Sequence, residues 1–571
     1  MTVPVLRPYQ QAAIDAVVAA RKRGVRRMVV CLPTGAGKTV IFARIAALAH
    51  RPVLVLAHRE ELLQQACDKI ARALGPDGGL VAVEQGALRA PREARVVVAS
   101  LRSLHENRLE HVLQGRDFGL IVYDECHHAT ADDNQRVLRR LGAFDPQWTG
   151  TLLGFTATTA RGDGQGLDAV FEDIVYTRTL PEMVNDGYLV PLRGYRVATA
   201  ADLRGLSGEG QDFAVEPLAE AIDVEERNAL VARSIQELAR DRRTIAFCVT
   251  VAHARNLCRS LNALGVPAGL VHGEMRSTDR AKALAEFRSG RVHVITNVGV
   301  LTEGFDDPGV SCIAMARPTR SEGLYAQCVG RGTRLAPDKQ DCLVLDFVDL
   351  SALSLCTLPS LYGLPRELDL QGGEAEEARQ VWQAIGFDKP GFELEAGAIT
   401  LSEIQERAAL FDPLTRQVDA EVRALSNNAW ISLGSRGLLL HFQPKPGQLA
   451  LVTILAKGAR GRRWLVSMQG RAAGRQGETG ARFSTLEEAV QAVDWEIDQL
   501  GQGAASSALP EGKWRHLAVS AELAASLLAL RPPREAKRLG EAMGYLATAE
   551  VFAATVLPGQ ERPPGRPGPL R

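Results

Sequence analysis

The chain has 571 residues, 46% apolar and 23% charged, and its 67 Lys and Arg balance 67 Asp and Glu. At about 150 residues per domain this predicts about three or four globular domains, and the composition excludes a disordered, collagen-like or fibrous chain. The zero net charge leaves nucleic-acid binding to local patches, no uninterrupted apolar run reaches the roughly 18 residues of a membrane span, and Met1–Gln11 lacks the basic-then-apolar layout of a secretion signal.

The first 350 residues alternate short apolar runs with amphipathic stretches. Met28–Leu32 reads as a strand and Val40–Ala49 as a helix, joined by Pro33-Thr34-Gly35-Ala36-Gly37-Lys38-Thr39. A strand, a Gly-containing turn and a helix start make an anion cradle of backbone N–H groups. In such a loop Lys38 reaches the β- and γ-phosphates and the Thr39 hydroxyl binds Mg²⁺. Pro52–Ala57 and Val96–Ser100 are the next apolar runs. Leu120–Tyr123 leads into the adjacent carboxylates Asp124 and Glu125, then Cys126, His127 and His128. The C-terminal end of a parallel strand faces the ligand crevice. There Asp124 is suited to Mg²⁺ and Glu125 to activating the water that attacks the γ-phosphate. His127 is a candidate sensor of the nucleotide, whereas His128 reads as an ordinary loop histidine. Leu152–Thr156 is a further strand.

Regular alternation stops near Gly187–Asp223, where the junction between two α/β lobes is expected. Thr244–Val249, Val292–Thr296 and Cys342–Phe347 are strands of the second lobe. The expected fold class is therefore α/β, two tandem lobes with parallel sheets and crossover helices. An acidic connector with one helix follows, carrying Glu367, Asp369, Glu374, Glu376 and Glu377. Trp430–Phe442, Leu449–Leu455 and Arg463–Met468 read as three strands and Ser484–Leu500 as a helix, with Ser484 and Glu487 forming a capping box. Between Trp430 and Phe483 lie Arg436, Lys445, Lys457, Arg460, Arg462, Arg463, Arg471, Arg475 and Arg482, opposed only by Glu478. Trp430, Phe442, Trp464 and Phe483 interleave with them. This small α+β module either presents a basic face to nucleic acid or carries a solvated basic face over an aromatic core. Gly501–Gly512 reads as a linker, Trp514–Leu557 as helical, and Pro558–Arg571 as a disordered Pro/Gly/Arg tail.

The expected boundaries are 1–190 for lobe 1, 191–222 for the inter-lobe linker and 223–350 for lobe 2. Residues 351–420 are the acidic connector, 421–500 the basic module, 513–557 the helical module and 558–571 the tail. The nine cysteines lack C-x2-C or C-x4-C spacing, so no zinc site is expected. Free thiols in a cytoplasmic setting are the simplest reading.

Taken in order, these segments resemble the DEAD/DEAH-box-type helicases of superfamily 2, whose phosphate loop reads P-T-G-x-G-K-[ST]. The resemblance covers Leu6–Leu350. Leu6-Arg7-Pro8-Tyr9-Gln10 is similar to the adenine-reading Q motif, with Gln10 suited to an adenine edge. Ala57-His58-Arg59-Glu60-Glu61-Leu62 resembles motif Ia, Ala99-Ser100-Leu101 motif Ib, Asp124-Glu125-Cys126-His127 motif II and Thr156-Ala157-Thr158 motif III. In the second lobe Val271-His272-Gly273 resembles motif IVa. Thr296 through Gly304-Phe305-Asp306 resembles motif V, and Gln327 through Gly330-Arg331 to Arg334 motif VI.

The resemblance implies two RecA-like lobes with ATP and Mg²⁺ between them. Arg7, Gln10, Pro33, Thr34, Gly35, Ala36, Gly37, Lys38, Thr39, Asp124, Gly304, Asp306 and Gln327 would then contact the cofactors. Lys38, Asp124, Glu125 and the arginine fingers Arg331 and Arg334 would be catalytic. Motifs Ia, Ib and V would grip a nucleic-acid backbone. The Q motif, motif II, Thr296–Pro308 and Thr156–Gly164 are similar to the RadD-like and XPB-like bacterial DNA helicases, though Thr159 stands where those have Pro. This implies an ATP-dependent DNA helicase or translocase in repair or recombination, acting on single-stranded or duplex DNA. Residues 421–557 are a candidate region for a protein partner. An RNA helicase and the motor of a restriction or defence complex with a separate nuclease are the alternatives.

Overall fold

Val53–Ala57 and Leu120–Asp124 are buried at every position, the signature of central strands covered on both faces. The computed structural model describes every residue except 1–4, 58–59, 76–77, 105, 158–165, 207, 210–211, 303, 352–354, 390–391, 395–396, 398, 458–462, 471–480, 529–535 and 555–571. Two units, Met1–Ala378 and Arg379–Arg571, make up the chain.

The first unit holds both parallel sheets. Strands β1 (Arg27–Cys31), β2 (Val53–Ala57), β3 (Val81–Glu84), β4 (Val96–Ser100), β5 (Leu120–Asp124), β6 (Thr151–Thr156) and β7 (Asp173–Thr177) lie in the order β3-β4-β2-β5-β6-β1-β7. Every pairing among them is parallel. Strand β8 (Leu192–Asp202) is followed by a hairpin of β9 (Gly208–Glu209) and β10 (Asp212–Phe213). Strands β11 (Thr244–Phe247), β12 (Ala268–Val271), β13 (Val294–Asn297), β14 (Cys312–Met315) and β15 (Cys342–Leu350) form the second sheet with β8, in the order β12-β13-β11-β14-β15-β8. The sheets place the ends of β1, β5 and β6 side by side, and those ends carry the phosphate loop and the Asp124-Glu125 pair.

The stretch 191–222 is not a loose connector. Its first third is β8, paired in parallel with β15 from Leu192 opposite Cys342 to Asp202 opposite Leu350. An edge strand needs one covered face only, so β8 mixes buried Leu192 and Gly194 with exposed Arg193, and no apolar run marks it. The short strands β3, β7, β12 and β14 also complete the sheets beyond the runs named above.

A buried ion pair ties the second sheet to its helices. Arg227, on the helix Glu225–Leu238, donates to both carboxylate oxygens of Asp349 at 2.7 and 2.8 Å and to the Ala316 carbonyl at 3.0 Å. Its side chain is 2% exposed and that of Asp349 is 0% exposed. Thr199 of β8 also donates to Asp349. Removing one partner of such a pair strands the other charge and costs about 3–5 kcal/mol. Asp349→Ala is therefore expected to lower the urea midpoint of the first unit with little change in slope; an unchanged midpoint would show that the pair contributes nothing.

The connector region holds more than one helix: Leu358–Leu361, Ala375–Asp388 and Leu401–Leu410 all fall between 351 and 420. Within the second unit, five antiparallel strands replace the expected three: Ile431–Ser432, Gly437–Lys445, Gln448–Lys457, Arg463–Gly470 and Ala481–Phe483. The helix after them is Leu486–Gln499, capped by Thr485 and Glu488 rather than Ser484 and Glu487. Both pairs fit the capping pattern, and the packing of Ala489, Val490, Val493 and Ile497 on the sheet selects the later start. Gly501–Gly512 is not a flexible linker but contains the helix Gln502–Ala508. Its small Ala504 and Ala508 enter the same core, and the Ser507 hydroxyl accepts from Gln443 N at 2.7 Å. Helices Ala521–Leu528 and Leu539–Ala554 follow. The tail 558–571 lies outside the described residues.

Candidate functional site

The phosphate loop begins where β1 ends. Gly35 and Gly37 hold φ values of 88° and 76°, a region that favours glycine. Gly37 is the N-cap of the helix Lys38–Leu48, so backbone N–H groups converge on the loop. Lys38 Nζ lies 3.3 Å from Glu125 Oε1 and 3.5 Å from the Leu32 carbonyl. Tyr9 supports the loop from the N-terminal helix Pro8–Lys22 by donating to the Ala36 carbonyl at 2.6 Å. Gln10 is buried, with its Oε1 accepting from Arg7 N at 3.0 Å.

Asp124 ends β5, and Glu125 follows with φ 52° and ψ 52°. A non-glycine residue in the left-handed region is uncommon and clusters at functional sites. Here it accompanies a carboxylate turned to Lys38. Asp124 Oδ1 accepts from Glu125 N at 3.1 Å. His127 Nδ1 is 3.2 Å from Thr156 Oγ1 and 3.5 Å from Glu125 Oε2. It therefore joins the ends of β5 and β6, as a sensor histidine would. Cys126 is fully buried, and desolvation pushes its thiol well above the usual range. A Cβ on Gly154 would stand 2.7 Å from Cys126 Sγ, so this cysteine packs and leaves room for nothing larger on the neighbouring strand.

The second sheet contributes the segment after the helix Glu322–Val329. A Cβ on Gly330 would meet Thr34 Cβ at 2.5 Å. Thr333 Oγ1 lies 3.5 Å from the Thr34 carbonyl. The Arg334 side chain passes the loop, its Cγ 3.3 Å from the Cβ position of Gly35, and its Nε pairs with Asp306 at 3.1 Å. Burial lowers the Arg334 pKa, opposed by Asp306 and Asp307. Arg331 is placed differently from Arg334. It is buried, with Nε donating to the Thr302 carbonyl at 3.0 Å and Nη1 to the Phe305 carbonyl at 2.9 Å. Gln327 is buried and Gly304 has φ 76°.

Among the described residues, Thr34 Oγ1 and Glu125 Oε2 are buried without a hydrogen-bond partner. Unsatisfied buried oxygens beside a lysine and an amide cradle fit a phosphate chain with its Mg²⁺, the Thr39 hydroxyl and Asp124 being the hard oxygen donors. The structure thus gathers the phosphate loop, the Asp124-Glu125 pair and the Gly330–Arg334 segment. His58 and Arg59, and the stretch Thr158–Gly164, lie outside the described residues. The sequence reading missed Tyr188, Leu189 and Val190. Leu189 Cδ2 would touch a Cβ on Gly35 at 3.3 Å, and Val190 N donates to the Thr333 carbonyl at 2.8 Å. No local pattern marks them, because their role comes from contact with distant segments.

The aromatics of the basic module are accounted for by packing. Trp430 and Phe442 are buried, and Trp464 and Phe483 pack against the same core. Arg436, Lys445, Arg463 and Arg482 are exposed, while Arg460, Arg462, Arg471, Arg475 and Glu478 lie outside the described residues.

Residues 4–161 match the family described as "Type III restriction enzyme, res subunit", and residues 226–336 match "Helicase conserved C-terminal domain". The chain is 32% identical over 449 residues to "Putative mitochondrial ATP-dependent helicase irc3" of Schizosaccharomyces pombe, covering 77% of this chain and 73% of that protein. It is 32% identical over 388 residues to "Putative ATP-dependent helicase IRC3" of Saccharomyces cerevisiae, covering 66% of this chain and 56% of the relative. It is also 24% identical over 379 residues to "DNA 3'-5' translocase XPB2" of Sulfurisphaera tokodaii, covering 59% of this chain and 80% of that protein.

Proposed function

Because the chain belongs to the superfamily 2 helicases, we propose that it is an ATP-driven motor that moves on DNA, in repair or recombination. The observation that carries the reading is the Lys38–Glu125 pair at 3.3 Å, set where Gly330 meets Thr34 and Arg334 meets Gly35. One lobe supplies the phosphate cradle and the base, and the other supplies a cation at the same loop.

The chemistry follows from these positions. Lys38 exchanges its contact with Glu125 for the β- and γ-phosphates, which frees the carboxylate. Glu125 then takes the proton of the attacking water. The Thr39 hydroxyl and Asp124 would hold Mg²⁺, which would supply charge neutralisation on the phosphates. Arg334 neutralises charge at the γ-phosphate, and Arg331 holds the Phe305 carbonyl to which Arg334 also donates. Loss of the γ-phosphate removes the reason for the lobes to stay closed, so ATP turnover sets the rhythm of closure. His127 couples Glu125 to Thr156 and so to the nucleic-acid side of lobe 1.

The DNA assignment is supported by the relative named as a DNA translocase. The exposed basic residues Arg436, Lys445, Arg463 and Arg482 favour a contact of the second unit with phosphate; a protein partner through 421–557 belongs to the same proposal, as does a cytoplasmic setting. The match to a restriction-enzyme subunit family favours a second reading, a motor serving a separate nuclease.

Steady-state ATPase with no nucleic acid, single-stranded DNA, duplex DNA and RNA separates these readings, beside a Lys38→Ala control. DNA is expected to raise turnover at least severalfold, with the control inactive throughout. Stimulation by RNA alone would replace DNA with RNA in the assignment. High turnover without any stimulation would favour control by a protein partner.

A further inference from the structure

The chain between the lobes runs across the nucleotide site itself. The helix Leu180–Asn185 ends at a turn in which Gly187 has φ 71°. Tyr188 N and Leu189 N both donate to the Met183 carbonyl, at 2.9 and 3.2 Å, so the direction of the next residues is fixed. The Tyr188 ring centroid is 4.6 Å from that of Tyr9, the residue that holds the phosphate loop through Ala36. The Arg7 guanidinium lies 5.7 Å from the same ring centroid, and Arg7 Nη1 donates to the Tyr188 carbonyl at 3.3 Å. Leu189 is buried at Gly35 and Val190 N holds Thr333. Three consecutive residues therefore touch the Q-motif turn, the phosphate loop and the arginine segment of lobe 2.

Gln10 is heavily committed at this place. Its Oε1 accepts from Arg7 N, and its Nε2 would stand 2.9 Å from a Cβ on Gly37. The planar groups that retain exposure beside it are Arg7, which is exposed, and Tyr188, which is half-buried. An aromatic face and a guanidinium plane are the two side-chain surfaces on which a nucleobase stacks well. We propose that Tyr188 is a nucleobase-binding residue of the ATP site, stacking the purine together with Arg7. The proposal rests on the nucleotide-site reading above and adds the source of its base affinity.

Equilibrium titration of ADP and of inorganic pyrophosphate into the full-length chain tests this without any turnover. Tyr188→Ala is expected to weaken ADP about tenfold, in the range of single stacking contacts, while pyrophosphate stays within about twofold. Tyr188→Phe keeps the ring and is expected to leave both ligands within about twofold. Equal weakening of ADP and pyrophosphate by Tyr188→Ala would overturn the proposal, because it would mean a disturbed phosphate loop. Unchanged ADP affinity would overturn it as well. ATPase of the unaltered chain is the separate control: a chain that binds ADP but never hydrolyses ATP fails as a motor and leaves the Tyr188 titrations valid.

Discussion

Replacing Glu125 with glutamine is expected to lower ATP turnover by about 10²–10⁴-fold, the usual worth of a general base, and to leave ATP binding within a few fold. Glutamine has the same size and keeps one of the two accepting oxygens of the carboxylate. It cannot take a proton from water. The side chain is buried beside Lys38 and His127, so the isosteric amide is the replacement that disturbs the packing least. Lys38 loses its counter-charge at 3.3 Å in the variant, which makes it more available to phosphate, so affinity is not expected to fall. Single-turnover hydrolysis beside equilibrium ATP binding checks both halves. Full turnover by Glu125→Gln would remove Glu125 from the chemistry and move attention to another base.

The second large effect is expected at the two arginines, and they are expected to differ. Arg334→Ala should lower turnover by about 10³-fold, the lower range for an arginine that stabilises a transferring phosphoryl group, with little loss of folding stability. Its guanidinium touches Asp306 near the loop and one carbonyl, Phe305 at 3.3 Å. Arg331→Ala should also impair turnover, but through the loop it orders. Its donors hold the Thr302 and Phe305 carbonyls in a buried setting; Phe305 keeps its bond from Arg334, while a buried acceptor left unsatisfied, as at Thr302, costs about 1–3 kcal/mol. A lysine there cannot reproduce two fixed, divergent donors, so Arg331→Lys should rescue neither stability nor rate. Turnover and urea denaturation measured on the same variants distinguish the pair. If Arg331→Ala kept full stability while losing turnover, the assignments of the two arginines would exchange.

Much of the site was legible because its chemistry is local. A loop that must expose backbone N–H groups needs glycine at Gly35 and Gly37, and the lysine and threonine that follow sit at the start of the next helix. Asp124 and Glu125 stand at the end of an apolar run, and in a parallel sheet such an end points to the crevice. The second-lobe segment was found by its residue types, yet its two arginines could not be told apart in sequence. Both are long cations a turn apart that share the Phe305 carbonyl; only the Thr302 carbonyl, taken by Arg331, and the Asp306 carboxylate, taken by Arg334, about 30 residues earlier in the chain, separate them.

The basic module shows the opposite case. Its charge was plain in the sequence, but an aromatic residue among arginines serves a core or a base equally well by composition. Packing decided for the core, because Trp430 and Phe442 face the helices Leu486–Gln499 and Gln502–Ala508. Gly501–Gly512 looked like a linker because Gly, Ala and Ser are small. The same smallness lets Gln502–Ala508 lie close against the strand Gly437–Lys445.

Sequence alone determined the two α/β lobes, the phosphate loop and the paired carboxylates, since each depends on residues near one another in the chain and on a repeating apolar pattern. Tertiary structure alone decided that β8 is a sheet edge, that Arg331 and Arg334 have different partners, and that Tyr188, Leu189 and Val190 cross the nucleotide site. Those features have no periodicity and no local constraint. They exist because segments from about 30 to more than a hundred residues apart meet, and only the folded packing fixes which atoms they bring into contact.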